Sequence, residues 1–109
     1  MGENMLKKLV TKYGEDFSWY MLDKNAKQKQ VFENRLRIEI VPEHNLYSIK
    51  DNLIAIAKSE RNDDVLFSDS HQYYIIHLTW ADGNSEYPKY KVIESSKILE
   101  YLEQDYLNI

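Results

Sequence analysis

The sequence predicts an α+β domain, with N-terminal helices, a small antiparallel sheet meandering through three to four strands, and a C-terminal helix. Three observations carry this. Residues 63–80, DDVLFSDSHQYYIIHLTW, hold two strand-type runs joined by a short polar turn. Both ends of the chain carry apolar residues at helical spacing. The 109 residues contain 29 Leu, Ile, Val and Phe, enough for one core in a single domain.

Taken in order, residues 4–13 read as a short helix, with Leu6, Leu9, Val10 and Tyr13 on one stripe and Gly14 as its stop. Residues 17–22 are an apolar run too short to assign by period. Residues 23–30 are polar throughout and are expected in solvent. Residues 31–41 fit two periods. Phe32, Leu36 and Ile40 recur at four, as in a helix, while Leu36, Ile38 and Ile40 alternate with Arg35, Arg37 and Glu39, as in a strand. The length favours a helix from about Gln28, stopped by Pro42. Residues 43–52 form a loop or one helical turn capped by Ser48. Residues 53–59 suit either a continued helix or a strand.

Residues 64–67 and 72–80 are the clearest strands. In the second, Tyr74, Ile76, Leu78 and Trp80 share one apolar face, and Tyr73, Ile75, His77 and Thr79 the other, mixed one. That pattern predicts a central strand covered in part on both sides. Asp69 and Ser70 mark the hairpin turn, and Asp82-Gly83 the next. Residues 89–93 are a fourth candidate strand. Ser95 or Ser96 then caps a helix with Leu99, Leu102, Tyr106 and Ile109 inside and Glu100, Glu103 and Asp105 in water.

The fragments FENRLRIEIVPEHNL, IAIAKSERNDDVLF and IIHLTW together resemble a family of small, uncharacterised bacterial proteins. Their shared signature is a P-x-H-x-L loop, a DDVLF strand and an HLTW strand, and the likeness covers residues 28–80. The resemblance implies that 28–41 is helical and that 53–59 is a strand. It implies no activity. Some small bacterial proteins of this kind are immunity proteins that neutralise a toxin, an analogy of size and setting.

Charge narrows the function. Residues 1–41 carry +2 and residues 42–109 carry −6. An acidic C-terminal part argues against nucleic acid, which needs a basic field, and suits a basic protein partner. The absence of cysteine removes disulfides, thiolate metal sites and a cysteine nucleophile. The first ten residues lack the apolar core of a signal peptide, and Leu6 stands where a myristoylation signal needs Ser or Thr. No run is long enough for a membrane span. A cytoplasmic location is expected.

The candidate catalytic pair is His77 with Asp64, a base with an orienting acid. Asp63 and Glu60 are the other carboxylates within reach of a meander. The plainer reading makes His77 a half-buried strand residue and Asn62-Asp63 a local Asx turn. His44, His71 and His77 lack ligand spacing, so neither a metal nor a cofactor is expected. Trp80 belongs to the core by alternation. Tyr73, Asp69, Asp82, Glu86 and Tyr87 are the candidate partner-binding residues, aromatic anchors framed by acids. Three functions follow: a non-enzymatic protein-binding module of immunity or inhibitor type, a small hydrolase or metal-dependent enzyme centred on His77 with Asp63 or Asp64, and a homodimeric structural subunit.

Overall fold

The computed structural model describes residues 2–107. Among these, three helices and five strands run in the order α1 (Gly2–Tyr13), β1 (Trp19–Met21), α2 (Ala26–Glu39), β2 (Ile54–Ser59), β3 (Asp64–Ser68), β4 (Gln72–His77), β5 (Tyr90–Glu94) and α3 (Ile98–Leu107). Short 3₁₀ turns occupy Gly14–Asp16, Lys50–Asn52 and Ser95–Lys97. The architecture is α+β, as the sequence predicts. The sheet is antiparallel in the order β1-β2-β3-β4-β5, so β2 to β5 form the meander and β1 adds an edge.

Helices cover both faces. On one, α2 and the following loop bury Leu22, Phe32, Leu36, Ile40, Leu46 and Leu53 against Val65, Phe67, Tyr74, Ile76 and Leu78. On the other, α1 and α3 bury Leu6, Leu9, Ile98 and Leu102 against Trp19, Ile56, Leu66, Tyr73 and Ile75. Each fully buried Leu, Ile or Phe contributes about 1.5–3 kcal/mol, so the two cores hold the sheet from both sides. Alternation along β3 and β4 sends successive side chains into opposite cores.

Several elements differ from expectation for physical reasons. α2 begins inside the polar run, because the Asn25 side chain caps it by accepting the Gln28 N–H. Residues 19–21 form a strand because they pair with residues 57–59. β2 carries a bulge at Ile56, where Ala55 faces Phe67 and Ala57 faces Leu66. The turn at 50–52 is present but has no side-chain cap from Ser48. Ser95 and Ser96 lie in the 3₁₀ turn ahead of α3.

Two acids of α3 are not simply solvated. Glu103 accepts from Lys12 Nζ at 2.7 Å and the Tyr13 hydroxyl at 2.6 Å. Asp105 accepts from Trp19 Nε1 at 3.0 Å, because α1 and β1 lie alongside this helix. Ile109 of the expected stripe lies outside the described residues. Among those residues, no helix is long and apolar enough to cross a membrane.

β4 ends at His77, three residues before the sequence pattern does. Leu78 still enters the core, but Trp80 turns out and is 47 % exposed. Its backbone takes φ +57°, a left-handed conformation rare for a bulky side chain. Residues 78–89 then make a long loop rather than a hairpin turn at Asp82-Gly83. Gly83 is needed there for a different reason: a Cβ on it would stand 1.7 Å from the Glu39 carbonyl oxygen.

Candidate functional site

The 78–89 loop is fastened to α2 by one buried carboxylate. Glu39 is 0 % exposed at the last position of α2. Its Oε1 accepts the Thr79 N–H and the Thr79 hydroxyl, both at 2.8 Å. Its Oε2 accepts the Trp80 N–H at 2.8 Å and Arg35 Nε–H at 2.7 Å. Burial alone would push this carboxyl up. The four donors overcome that and hold it below its ordinary range. A bulky residue at positive φ persists only when its surroundings over-determine it, and here the carboxylate does so.

Arg35 completes the mount. Its Nη2 donates to the Ala81 carbonyl at 2.7 Å, and its guanidinium lies 5.6 Å from the centre of the Trp80 ring. Phe32 meets the same ring edge-on at 6.4 Å. Val31 and Ile38 stand exposed on the helix stripe that contains Arg35, since 31, 35 and 38 follow helical spacing. Val31 and Ile38 thus flank, along α2, the Arg35 side chain that lies on Trp80.

The far part of the loop is also tied down. His44, buried beneath it, donates from Nε2 to the Pro88 carbonyl at 2.8 Å and accepts the Leu46 N–H on Nδ1 at 3.0 Å. Asn84 Oδ1 accepts the Glu86 and Tyr87 N–H groups. Asp82, Glu86 and Tyr87 are exposed on this fastened loop, with Lys89 Nζ 4.9 Å from the Tyr87 ring.

The other two partner-binding candidates lie elsewhere. Tyr73 is 6 % exposed and packs in the core beneath α1 and α3, because β4 is covered on that face as well. It is corrected from a surface anchor to a core residue. Asp69 sits at the opposite end of the sheet, in the β3–β4 turn. It accepts the His71 and Gln72 N–H groups and the Tyr74 hydroxyl, so it organises that turn. Burial tends to raise its carboxyl, and these donors hold it below its ordinary range.

Asp64 and His77 do meet. They are register partners on β3 and β4, and Asp64 Oδ1 lies 2.8 Å from His77 Nδ1. Asp63 stays exposed, contributing its carbonyl to the Leu78 N–H. The Asx contact is made by Asn62, whose Oδ1 accepts the Asp64 N–H at 2.8 Å. Asp64 and His77 border a hollow of about 130 Å³ with Ile75, Lys89, Lys91 and Tyr101. Lys91 Nζ donates to the Tyr101 hydroxyl at 3.1 Å, and that bond, ahead of all other influences, raises the lysine above its ordinary range.

The three histidines are dispersed: His44 under the loop, His71 at the β3–β4 turn and His77 at the end of β4. Among the described residues, no three His, Cys, Asp or Glu side chains gather as metal ligands.

Sequence reasoning missed Glu39, Arg35 and the exposed Trp80. The available signal was the i, i+4 spacing of Arg35 and Glu39 ahead of a proline. No protein-family model, no curated protein and no solved structure matches this chain.

Proposed function

We propose that this chain is a non-enzymatic protein-binding module of immunity or inhibitor type, gripping a basic partner through the 78–89 loop. The observation that carries the reading is Trp80, half exposed at positive φ and held by the buried Glu39. A solvent-facing tryptophan on a rigid mount is the usual form of a binding hot spot, because little ordering remains to be done on binding. Val31 and Ile38 extend its apolar surface, while exposed Asp82, Glu86 and Glu43 supply the acidic rim. A rim of that sign steers a basic partner.

The test compares wild type with Trp80→Ala as bait in a lysate of the source cells. The expected result is one stoichiometric basic protein retained by wild type. Its purified form should bind the variant roughly 30-fold or more weakly, while the variant keeps the circular dichroism spectrum of the folded wild type. Equal capture by both baits, or capture of acidic proteins alone, would end this reading.

A second reading, a small hydrolase centred on His77 and Asp64, is favoured by their 2.8 Å contact. That contact orients an imidazole as a base would be oriented. Among the described residues, no Ser or Thr lines the hollow to serve as a nucleophile.

A further inference from the structure

The hollow beside His77 concentrates positive charge on a chain whose net charge is −4. Lys89 comes from the end of the 78–89 loop, Lys91 from β5, His77 from β4 and Tyr101 from α3, with Ile75 between them. His77 N–H donates to the Lys89 carbonyl, and Lys91 is the register partner of Ile75. Lys89 and Lys91 therefore share a sheet face with His77 and Ile75. Among the described residues Asp64 is the one acid lining the hollow, and its Oδ1 is engaged by His77 Nδ1.

That engagement leaves His77 Nε2 on the far side of the ring from Asp64, without a hydrogen-bond partner among the described residues. The Tyr101 oxygen accepts from Lys91 Nζ, so its own proton is available to a third group. At about 130 Å³ the space has room for a small ion.

We infer that this hollow binds a phosphate dianion, free or as the head of a small phosphomonoester, held by Lys89, Lys91 and the Tyr101 hydroxyl against the edge of the His77 ring. The Lys91 ammonium already stands beside the Tyr101 hydroxyl, and the Lys89 ammonium, at rest 4.9 Å from the Tyr87 ring, swings in to supply the second charge. Donors arriving from two sides, the lysines on one and Tyr101 of α3 on the other, suit an anion with several oxygens. Asp64 acts as a positioning residue that fixes the imidazole ring. The larger groove of about 450 Å³ between β5 and α3 sets Glu94 and Glu100 against Lys97, an excess of negative charge that disfavours an anion.

The test titrates the intact protein with sodium phosphate, and separately with sodium chloride at matched ionic strength, following backbone amides by NMR. The expected result is saturable shifts at Asp64, His77, Lys89, Lys91 and Tyr101 with phosphate only. A parallel titration with glycerol phosphate separates the sources: tighter binding than inorganic phosphate identifies a phosphomonoester, and weaker binding identifies free phosphate. Lys89→Gln and Lys91→Gln, both at exposed positions, should each weaken binding about ten-fold at an unchanged melting midpoint. Shifts that do not saturate, shifts equal in chloride, or an affinity unchanged in both variants would overturn the assignment.

Discussion

Replacing Glu39 by glutamine keeps the shape of the side chain and removes its charge. In the wild type one oxygen serves the Thr79 N–H and hydroxyl, and the other serves Arg35 Nε–H and the Trp80 N–H. A glutamine offers one oxygen and one NH2 group. Turned with the NH2 towards Thr79, it lets the hydroxyl rotate and accept, but strands the Thr79 backbone N–H. Turned the other way, it strands two donors. The cheaper arrangement leaves one buried donor unpaired, at about 1–3 kcal/mol. Arg35 also loses a charged partner. Breaking a fully buried pair costs about 3–5 kcal/mol, and the partial exposure of Arg35 reduces its share to roughly 1 kcal/mol.

The sum is about 2–4 kcal/mol, against a total of about 5–15 kcal/mol for a domain of ordinary stability. The melting midpoint should fall by roughly 10–20 °C. The assay is urea denaturation followed by far-ultraviolet circular dichroism at pH 7, where the midpoint should drop at an unchanged slope. A loss under about 0.5 kcal/mol would refute the reasoning, because it would mean that the loop amides do not depend on this carboxylate.

Acid titration checks the same claim independently. Glu39 is held below its ordinary value of 4.5 in the folded chain, since its donors outweigh the upward push of burial. A carboxyl depressed by folding contributes its full stabilisation above the unfolded value and loses it as pH falls through the folded one. The gap between wild type and Glu39→Gln should therefore hold steady down to about pH 5 and narrow below 4.5.

Three further outcomes follow from the same geometry. Gly83→Ala should cost about 3 kcal/mol or more, since its Cβ would meet the Glu39 backbone oxygen and neither chain can yield cheaply. Urea midpoints measure this, and a near-neutral result would mean that the loop does not approach α2 so closely. His44→Ala should cost about 2–4 kcal/mol by the same assay, because it strands the Pro88 carbonyl and the Leu46 N–H and leaves a void beside Tyr90. His77→Ala should cost less than about 1 kcal/mol, because the ring is 51 % exposed and solvent screens its pairing with Asp64; a larger loss by thermal melting would place this pair in the stabilising core.

The parts of the fold legible in the sequence are those where one period dominates. β3 and β4 show as short apolar runs bounded by turn residues, the mark of strands buried on both faces, and α2 shows itself through Phe32, Leu36 and Ile40. β2 resisted because the bulge at Ile56 breaks its period of two, turning Ile56 and Ala57 into the same core. β1 resisted because three residues are too few to show any period, and pairing with β2 decides the matter. Tyr73 and Trp80 exchanged places between surface and core for related reasons. Alternation locates a face but not which helices cover it, nor where a strand stops. Of the candidate sites, the Asp64–His77 pair was visible because cross-strand neighbours follow from a hairpin register. The Glu39 mount was hidden because a helix-end glutamate and a Thr-Trp pair forty residues on share no local pattern.

The placement of the two tryptophans gives the molecule a pair of separable optical reporters. Trp19 is 3 % exposed and its indole N–H is engaged by Asp105, while Trp80 stands half in solvent on the far side of the sheet. Blue-shifted emission belongs to the first and red-shifted emission to the second. Iodide should reach chiefly the second, so one cuvette would read the integrity of the α1–β1–α3 side and the occupancy of the Trp80 face at once, without a dye.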